Sequence, residues 1–572
     1  MKKAKKVLAL MLVGLLVLSV LGACGKKQGE EQKGNKEGSE TDTTNASKTD
    51  DEAAGDKTLG SDTGGQDTSE TDDWTWPLPE KKELSIWTEW NNDYLTDPSE
   101  LKGIQKIEEM TNVHVNWMTC LDIEAREKFG LMIASGNYPD ILRKSEEYYV
   151  GGLSAELKDG VIIDMTEYID KYMPIYTSII ESNDQLKRDV MMDDHRMIGI
   201  YILSTLHGEL MGEYPWDGIG IRKDWLDELN MEIPETIDDW YKALTAFKNT
   251  YHCEAPLMIG FERGYDYCNS FLTAYGVLGE FYRDGNIVKY GPLEDGYKQW
   301  VQLFHDWYAE GLIDPNFITS DTYMRCANEM LGTGRAGAGP IVWASSADFY
   351  LTQGLTDDPD FWIAAAPAPV LNEGDTPQLG RAMSDLTKET ITITSNCKDI
   401  ELACRFMDFM YSDEAMMCNS LGIEGESYVV NSDGSYSMSP AVTEAIKNGE
   451  FPSIGAYYSM YSIGASGFGK YDWGRFLVQN EGMASLGAYD AWAPCRYDLV
   501  LPTNLTMTVE ESTVYGSAYV DIDTLVKENA LKFITGNRPM EEYDQFVKDI
   551  RTYKIEECLK IQQAALDRYN AR

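Results

Sequence analysis

From Trp74 onward, short apolar and β-branched runs alternate with longer stretches in which apolar residues recur every three to four positions. Leu84–Trp87, His114–Trp117, Ile198–Tyr201, Ile219–Ile221, Met258–Phe261, Trp362–Ala365 and Thr390–Thr394 read as strands. Thr236 with Asp239 three residues on forms a capping box, and Ile237, Trp240, Tyr241, Leu244 and Phe247 follow at helical spacing. A second helix puts Tyr297, Trp300, Val301, Phe304, Trp307 and Tyr308 on one stripe and stops at Gly311. A third gathers Leu402, Ala403, Phe406, Met407 and Met410. Alternation of this kind predicts α/β lobes with mostly parallel sheets. Trp240, Trp300 and Trp307 belong to helical stripes and are expected in the core.

Before Trp74 the pattern is different. Lys2, Lys3, Lys5 and Lys6 precede a 17-residue apolar run, Val7 to Ala23. A basic segment, an apolar core and small residues make a secretory signal peptide. Leu21-Gly22-Ala23-Cys24 resembles the bacterial lipobox. That resemblance implies cleavage before Cys24, acylation of its thiol and attachment to the outer face of the cell membrane. The competing reading is an uncleaved anchor, for which 17 residues is at the short limit of a ~30 Å hydrocarbon core. Gly25 to Asp73 carries 14 acidic residues, six lysines and no aromatic residue. Such a stretch cannot bury enough apolar surface to offset its ordering entropy and reads as a disordered tether. Its 49 residues give a mean reach of roughly 40 Å.

Residues 74–572 exceed one ordinary domain and suggest two or three lobes. A net charge of −44 argues against nucleic acid and against binding to anionic lipid, and is read as solubility. Ten cysteines, less Cys24, leave an odd number with no C-x-x-C spacing, so neither a zinc ribbon nor a disulfide scaffold is visible. Cys253 and Cys268 are close enough in sequence to pair, while Cys404 and Cys558 read as small core residues.

Catalytic motifs are scarce. The five histidines form no metal-ligating pair, and no Walker A sequence, Gly-x-Ser-x-Gly elbow or EF-hand spacing occurs. Gly332-Thr333-Gly334-Arg335-Ala336-Gly337 matches a dinucleotide fingerprint, but a helix-like segment precedes it and a strand-like one follows, the reverse of what that fingerprint needs. No cofactor and no metal are expected. Paired carboxylates of a glycosidase remain open, because 94 acids offer many pairs and nothing singles out two.

Several ordered stretches together carry a resemblance to a known family. They are Leu84-Ser85-Ile86-Trp87, the helix end and turn Met132 to Asp140, Gly160 to Thr166 with Met165 in place of the usual Leu, Ile221-Arg222-Lys223-Asp224-Trp225-Leu226-Asp227, and the Pro234 and Thr236 helix with Ala246-Phe247-Lys248. Tyr308 to Pro315, Gly422-Ile423-Glu424-Gly425 and Lys532 to Gly536 complete the series, and in this order, from about residue 83 onward, the chain resembles the extracellular solute-binding lipoproteins of carbohydrate-importing ABC transporters. The resemblance implies a type 2 periplasmic-binding fold: two α/β lobes, a hinge of crossing strands and a solute cleft between them. The lobes are expected at about 80–205 plus 345–440, and about 206–344 plus 441–572. It also implies a monomer that closes on an oligosaccharide and docks on a permease without chemistry on the solute. The alternatives are an exported glycan-acting enzyme and a scaffold or adhesion lipoprotein.

A sugar site needs aromatic faces for pyranose C–H surfaces and planar polar groups for hydroxyls. The loop after the first strand, Trp87, Glu89, Trp90, Asn91, Asn92 and Asp93, has that composition, against the alternative of a surface loop with buried Trp. Tyr214, Trp216 and Asp217 precede a second-lobe strand, and Trp343 follows another, as a cleft floor or a core residue. Arg381, Glu426 and Tyr428 are candidate polar contacts. Trp473, Arg475 and Trp492 fall in a Gly- and aromatic-rich region expected to line the cleft.

Overall fold

The structure, a computed structural model, describes residues 74–206, 209–210, 217–259, 271–318, 330–342, 358, 360–380, 385–451, 454–462, 469–470, 491–492 and 494–572. Trp74–Arg572 forms one compact unit. The signal, Cys24 and the tether lie outside the described residues.

Two sheets organise this unit. The first has the order β15-β4-β12-β3-β1-β2, built from β1 (Lys82–Glu89), β2 (Val113–Cys120), β3 (Ile141–Arg143), β4 (Ile200–Leu206), β12 (Leu386–Ile393) and β15 (Gly469–Lys470), with β5 (Glu209–Leu210) folding back on β4. The second has the order β11-β6-β10-β7, from β6 (Asp217–Arg222), β7 (Ala255–Leu257), β10 (Ala336–Val342) and β11 (Ile363–Ala366). Two hairpins stand apart, β8 (Phe281–Asp284) with β9 (Ile287–Tyr290) and β13 (Tyr428–Val430) with β14 (Tyr436–Met438).

Strand direction corrects the expectation of mostly parallel sheets. β12 runs antiparallel to both β3 and β4, and β6 runs antiparallel to both β10 and β11. Each is the first strand laid down after the chain passes from the other sheet. Strands returned by crossover helices run parallel, whereas a strand entering from outside arrives from the opposite end. A third passage follows β15, into the 26-residue helix Val509–Ile534, whose Ala518, Ile522, Val526 and Phe533 join the core of the second sheet. β11, expected in the first lobe, pairs with β6 in the second sheet, and β15, expected in the second lobe, pairs with β4 in the first. The strand expected at Met258–Phe261 lies earlier, at β7, because Ala255 and Leu257 are the residues that pair with β10.

The helical readings hold. Thr236 and Asp239 cap the helix Ile237–Tyr251 reciprocally, and Trp240, Leu244 and Phe247 are buried. Trp300, Phe304 and Trp307 face the core from the helix Asp295–Ala309, and Gly311 turns out of it at φ 65°. Cys404 and Cys558 are fully buried and Cys253 is a free thiol; Cys268 lies outside the described residues.

The motifs have structural work. Asp140 accepts from Ser85 N at 2.8 Å and Ser85 Oγ at 2.6 Å, which ties the start of β3 to β1. Arg222 is buried between the rings of Trp225 (4.4 Å) and Phe361 (4.7 Å), with Asp224 accepting from its Nε at 2.9 Å. Arg568 and Arg572 bond Asp193 at 2.9 and 2.7 Å, which ties the last helix, Ile555–Asn570, to the segment after Val190.

Candidate functional site

In the first sheet β1 lies between β2 and β3, so the chain leaves β1 in one direction and later returns to its other side. Open α/β sheets bind ligands at this switch point, beyond the carboxyl ends of the strands. The residues there are Glu89 at the end of β1 and Arg143 and Lys144 at the end of β3.

Lys144 holds the centre. Its backbone is left-handed, φ 55° and ψ 25°, a conformation that costs a residue with a Cβ and concentrates at functional sites. Its ammonium stands 3.2 Å from Glu89 Oε2 and 3.1 Å from Glu389 Oε1. Glu389 comes from β12, where the pairing with β4 slips between Thr387 and Thr390. A bulge of this sort re-aims a side chain, and here it turns a carboxylate toward β3. Burial pulls the Lys144 pKa down, but Glu389 and then Glu89 outweigh it and the net shift is upward.

Behind Lys144 lies Arg143, 3% exposed. Nη1 donates to Thr88 Oγ1 at 2.9 Å and Nη2 faces Glu389 Oε2 at 3.5 Å, while Nε and Nη2 have no hydrogen-bond partner. Burial lowers its pKa, against the pull of Glu389. Glu146 accepts from Thr390 N at 2.9 Å and also from its hydroxyl, and burial raises its pKa. Glu156, fully buried, accepts from Ser145 Oγ at 2.8 Å and is pushed up to about 7 by burial.

The loop after β1 divides by role. Trp87 is buried against Phe129, ring centroids 6.1 Å apart, so its face is closed to a solute. Trp90 packs on the first core and donates to Leu95 O at 3.2 Å. Asn92 spends its amide on the loop: Oδ1 accepts from Tyr94 N and Leu95 N at 2.8 and 2.9 Å, and Nδ2 donates to Ser459 O at 2.8 Å. Asn91 and Asp93 are exposed, and Glu89 is in the cluster. Glu426 pairs with Lys102 at 2.7 Å, at the start of the helix Lys102–Thr111. Tyr428 is buried in a small separate cluster, edge-on to Tyr436.

At the corresponding edge of the second sheet, the start of the reversed β6 meets the ends of β10 and β11: Asp217 opposes Val342, and Ile219 opposes Ala366. The indole of Trp492 covers Gly218 so closely that a Cβ there would fall 2.4 Å from Cε2. Its Nε1 donates to Ala366 O at 3.0 Å, and the ring is 2% exposed. The Asp217 side chain, Tyr214, Trp216, Trp343, Arg381, Trp473 and Arg475 lie outside the described residues. No group of three His, Cys, Asp or Glu residues is placed to hold a metal ion among the described residues.

Arg143, Lys144, Glu146 and Glu389 were not singled out in the sequence. One signal was there: Lys388 and Glu389 interrupt the run Leu386 to Ile393 with two adjacent charges, where a regular strand would alternate.

Residues 95–417, more than half the chain, match the bacterial extracellular solute-binding protein family. The chain belongs to that family. This solute-binding protein is similar to the fructooligosaccharide ABC transporter substrate-binding protein FusA of Streptococcus pneumoniae, 25% identical over 87% of this chain and 92% of that one. Its fold resembles an HMO-binding solute-binding protein of Bifidobacterium longum infantis, TM-score 0.68 and 17% identity over 86% and 99% of the two chains. It also resembles the alginate-binding protein AlgQ2, TM-score 0.64 and 22% identity over 86% and 99%. The fold is the type 2 α/β fold, and the two reversed strands mark where the chain passes between its two sheets. Among the described residues no helix is long and apolar enough to cross a membrane.

Proposed function

We propose that this protein is the membrane-tethered, extracellular solute-binding component of an ABC importer, that it captures an oligosaccharide between its two lobes, and that it hands the sugar to a permease. One lobe is built on each sheet, so the lobes are β1–β5, β12 and β15 with their helices, and β6, β7, β10 and β11 with theirs. Cys24 carries the acyl anchor, and the acidic stretch 25–73 lets a monomer reach the permease. The observation that carries this reading is the charged cluster of Glu89, Lys144 and Glu389 at the switch point of the first sheet, beside a strand that enters from the other lobe. Lobe closure on the solute follows from such crossing strands.

The test is thermal unfolding of the unacylated chain from residue 24 against a panel of oligosaccharides and peptides. A ligand held at 100 times its Kd adds about 2.7 kcal/mol to stability. A selective rise with one glycan, recovered unaltered, is expected. Conversion of the glycan would make the protein an enzyme, and no shift across the panel would favour the scaffold reading.

A further inference from the structure

The proteins this chain is similar to leave the charge of its solute open: fructooligosaccharides are neutral, and alginate is a polyanion. We infer that the first-lobe site is built for hydroxyl-rich, carboxylate-free glycans and discriminates against uronates. This rests on the reading that the cleft takes an oligosaccharide.

The argument is a count of donors and acceptors. An ammonium has three N–H groups; those of Lys144 are drawn to Glu89 at 3.2 Å and Glu389 at 3.1 Å, which leaves one for a solute. Arg143 is 3% exposed, and its contacts are Thr88 and Glu389. Arg143 Nε and Nη2 lack hydrogen-bond partners but are too buried to reach a solute, and Glu89, Glu146 and Glu389 outnumber Lys144 and Arg143. Each ionised carboxylate offers about four acceptor positions and no donor, and the Glu89 and Glu389 side chains are 18% and 21% exposed at this edge.

An acceptor-rich edge with one spare ammonium proton suits a group that can both donate and accept. A sugar hydroxyl does so. A uronate carboxylate only accepts: it can take the one spare Lys144 N–H, but it has no proton to give Glu89 or Glu389 and brings a third negative charge against them. Like charges brought together across an interface exclude the wrong partner. The wider field acts in the same sense, because 94 acidic residues against 50 basic ones repel anions at a distance.

Isothermal titration of the unacylated chain from residue 24 tests this with length-matched neutral oligosaccharides, oligogalacturonides and alginate oligomers, at low and high salt. The expected result is a neutral oligosaccharide bound at least tenfold more tightly than any uronate, with a ratio that shrinks as salt is added. Glu389→Gln, which removes one charge and keeps the shape, is expected to narrow the ratio several-fold. A uronate bound as tightly as the best neutral glycan would overturn the charge inference and leave the oligosaccharide reading intact. An unchanged ratio in Glu389→Gln would overturn the assignment to this cluster. Binding of no glycan by protein with a normal unfolding transition would overturn both.

Discussion

The two sheets are covered by helices in the same manner but filled with different chemistry. Around the first, the core is aliphatic and methionine-rich: Leu84, Ile86, Ile104, Val113, Ile141, Met165, Met407. Around the second it is a network of rings, with Trp240 5.2 Å from Phe271, Phe271 5.6 Å from Trp307 and Trp300 4.9 Å from Phe304. The edges proposed to face the solute differ as well. The first ends in the Glu89–Lys144–Glu389 cluster, and the second is covered over Gly218 by an indole. Aromatic pairs prefer particular angles and fix their neighbours, whereas aliphatic packing is adaptable. The second core is thus packed ring on ring, and the first carries the left-handed Lys144 and the buried charges of the proposed binding edge.

The largest effect that would break this contrast lies in the ring network. Trp300→Ala should cost about 4 kcal/mol and Ile86→Val about 1 kcal/mol, read from urea unfolding; equal costs would deny the second core its distinct character. Next comes Glu156, behind the binding edge. Its carboxyl is raised from 4.5 to about 7 in the fold, so the native state holds a proton that the unfolded state releases. Wild-type stability should fall as pH rises from about 4.5 to about 7, by up to about 3 kcal/mol from this group. Glu156→Gln should remove that slope, equal wild type at pH 4.5 and exceed it at pH 8; a parallel pH profile would contradict the buried-acid account. Smallest is Gly218→Ala, where the added Cβ meets the Trp492 ring. Overpacking of this kind costs about 1–3 kcal/mol; unaltered Trp fluorescence and stability would show the second edge to be less tightly packed than described.

The sequence pattern made the elements legible where burial sets a clear period, as in β1, the Thr236-capped helix and the Trp300 stripe. It did not encode direction. The residues of β12 look the same whether the strand runs up or down, and only the path from β11 decides it. The candidate site was half legible. Glu89 was found because an acid in a loop after a strand is a plain signal. Trp87 was read from the same loop, yet β1 is buried on both faces and the indole packs on Phe129. Lys144 and Glu389 escaped because they meet only through a left-handed turn and a bulge, which no spacing rule reveals.

The most direct measurement is the affinity of Lys144→Met for the glycan that stabilises the wild type, beside its unfolding midpoint without ligand. The account predicts at least a tenfold weaker Kd while the ligand-free protein still unfolds cooperatively. An unchanged Kd in a folded Lys144→Met protein would place the solute elsewhere and contradict the assignment of the site to the first-sheet switch point.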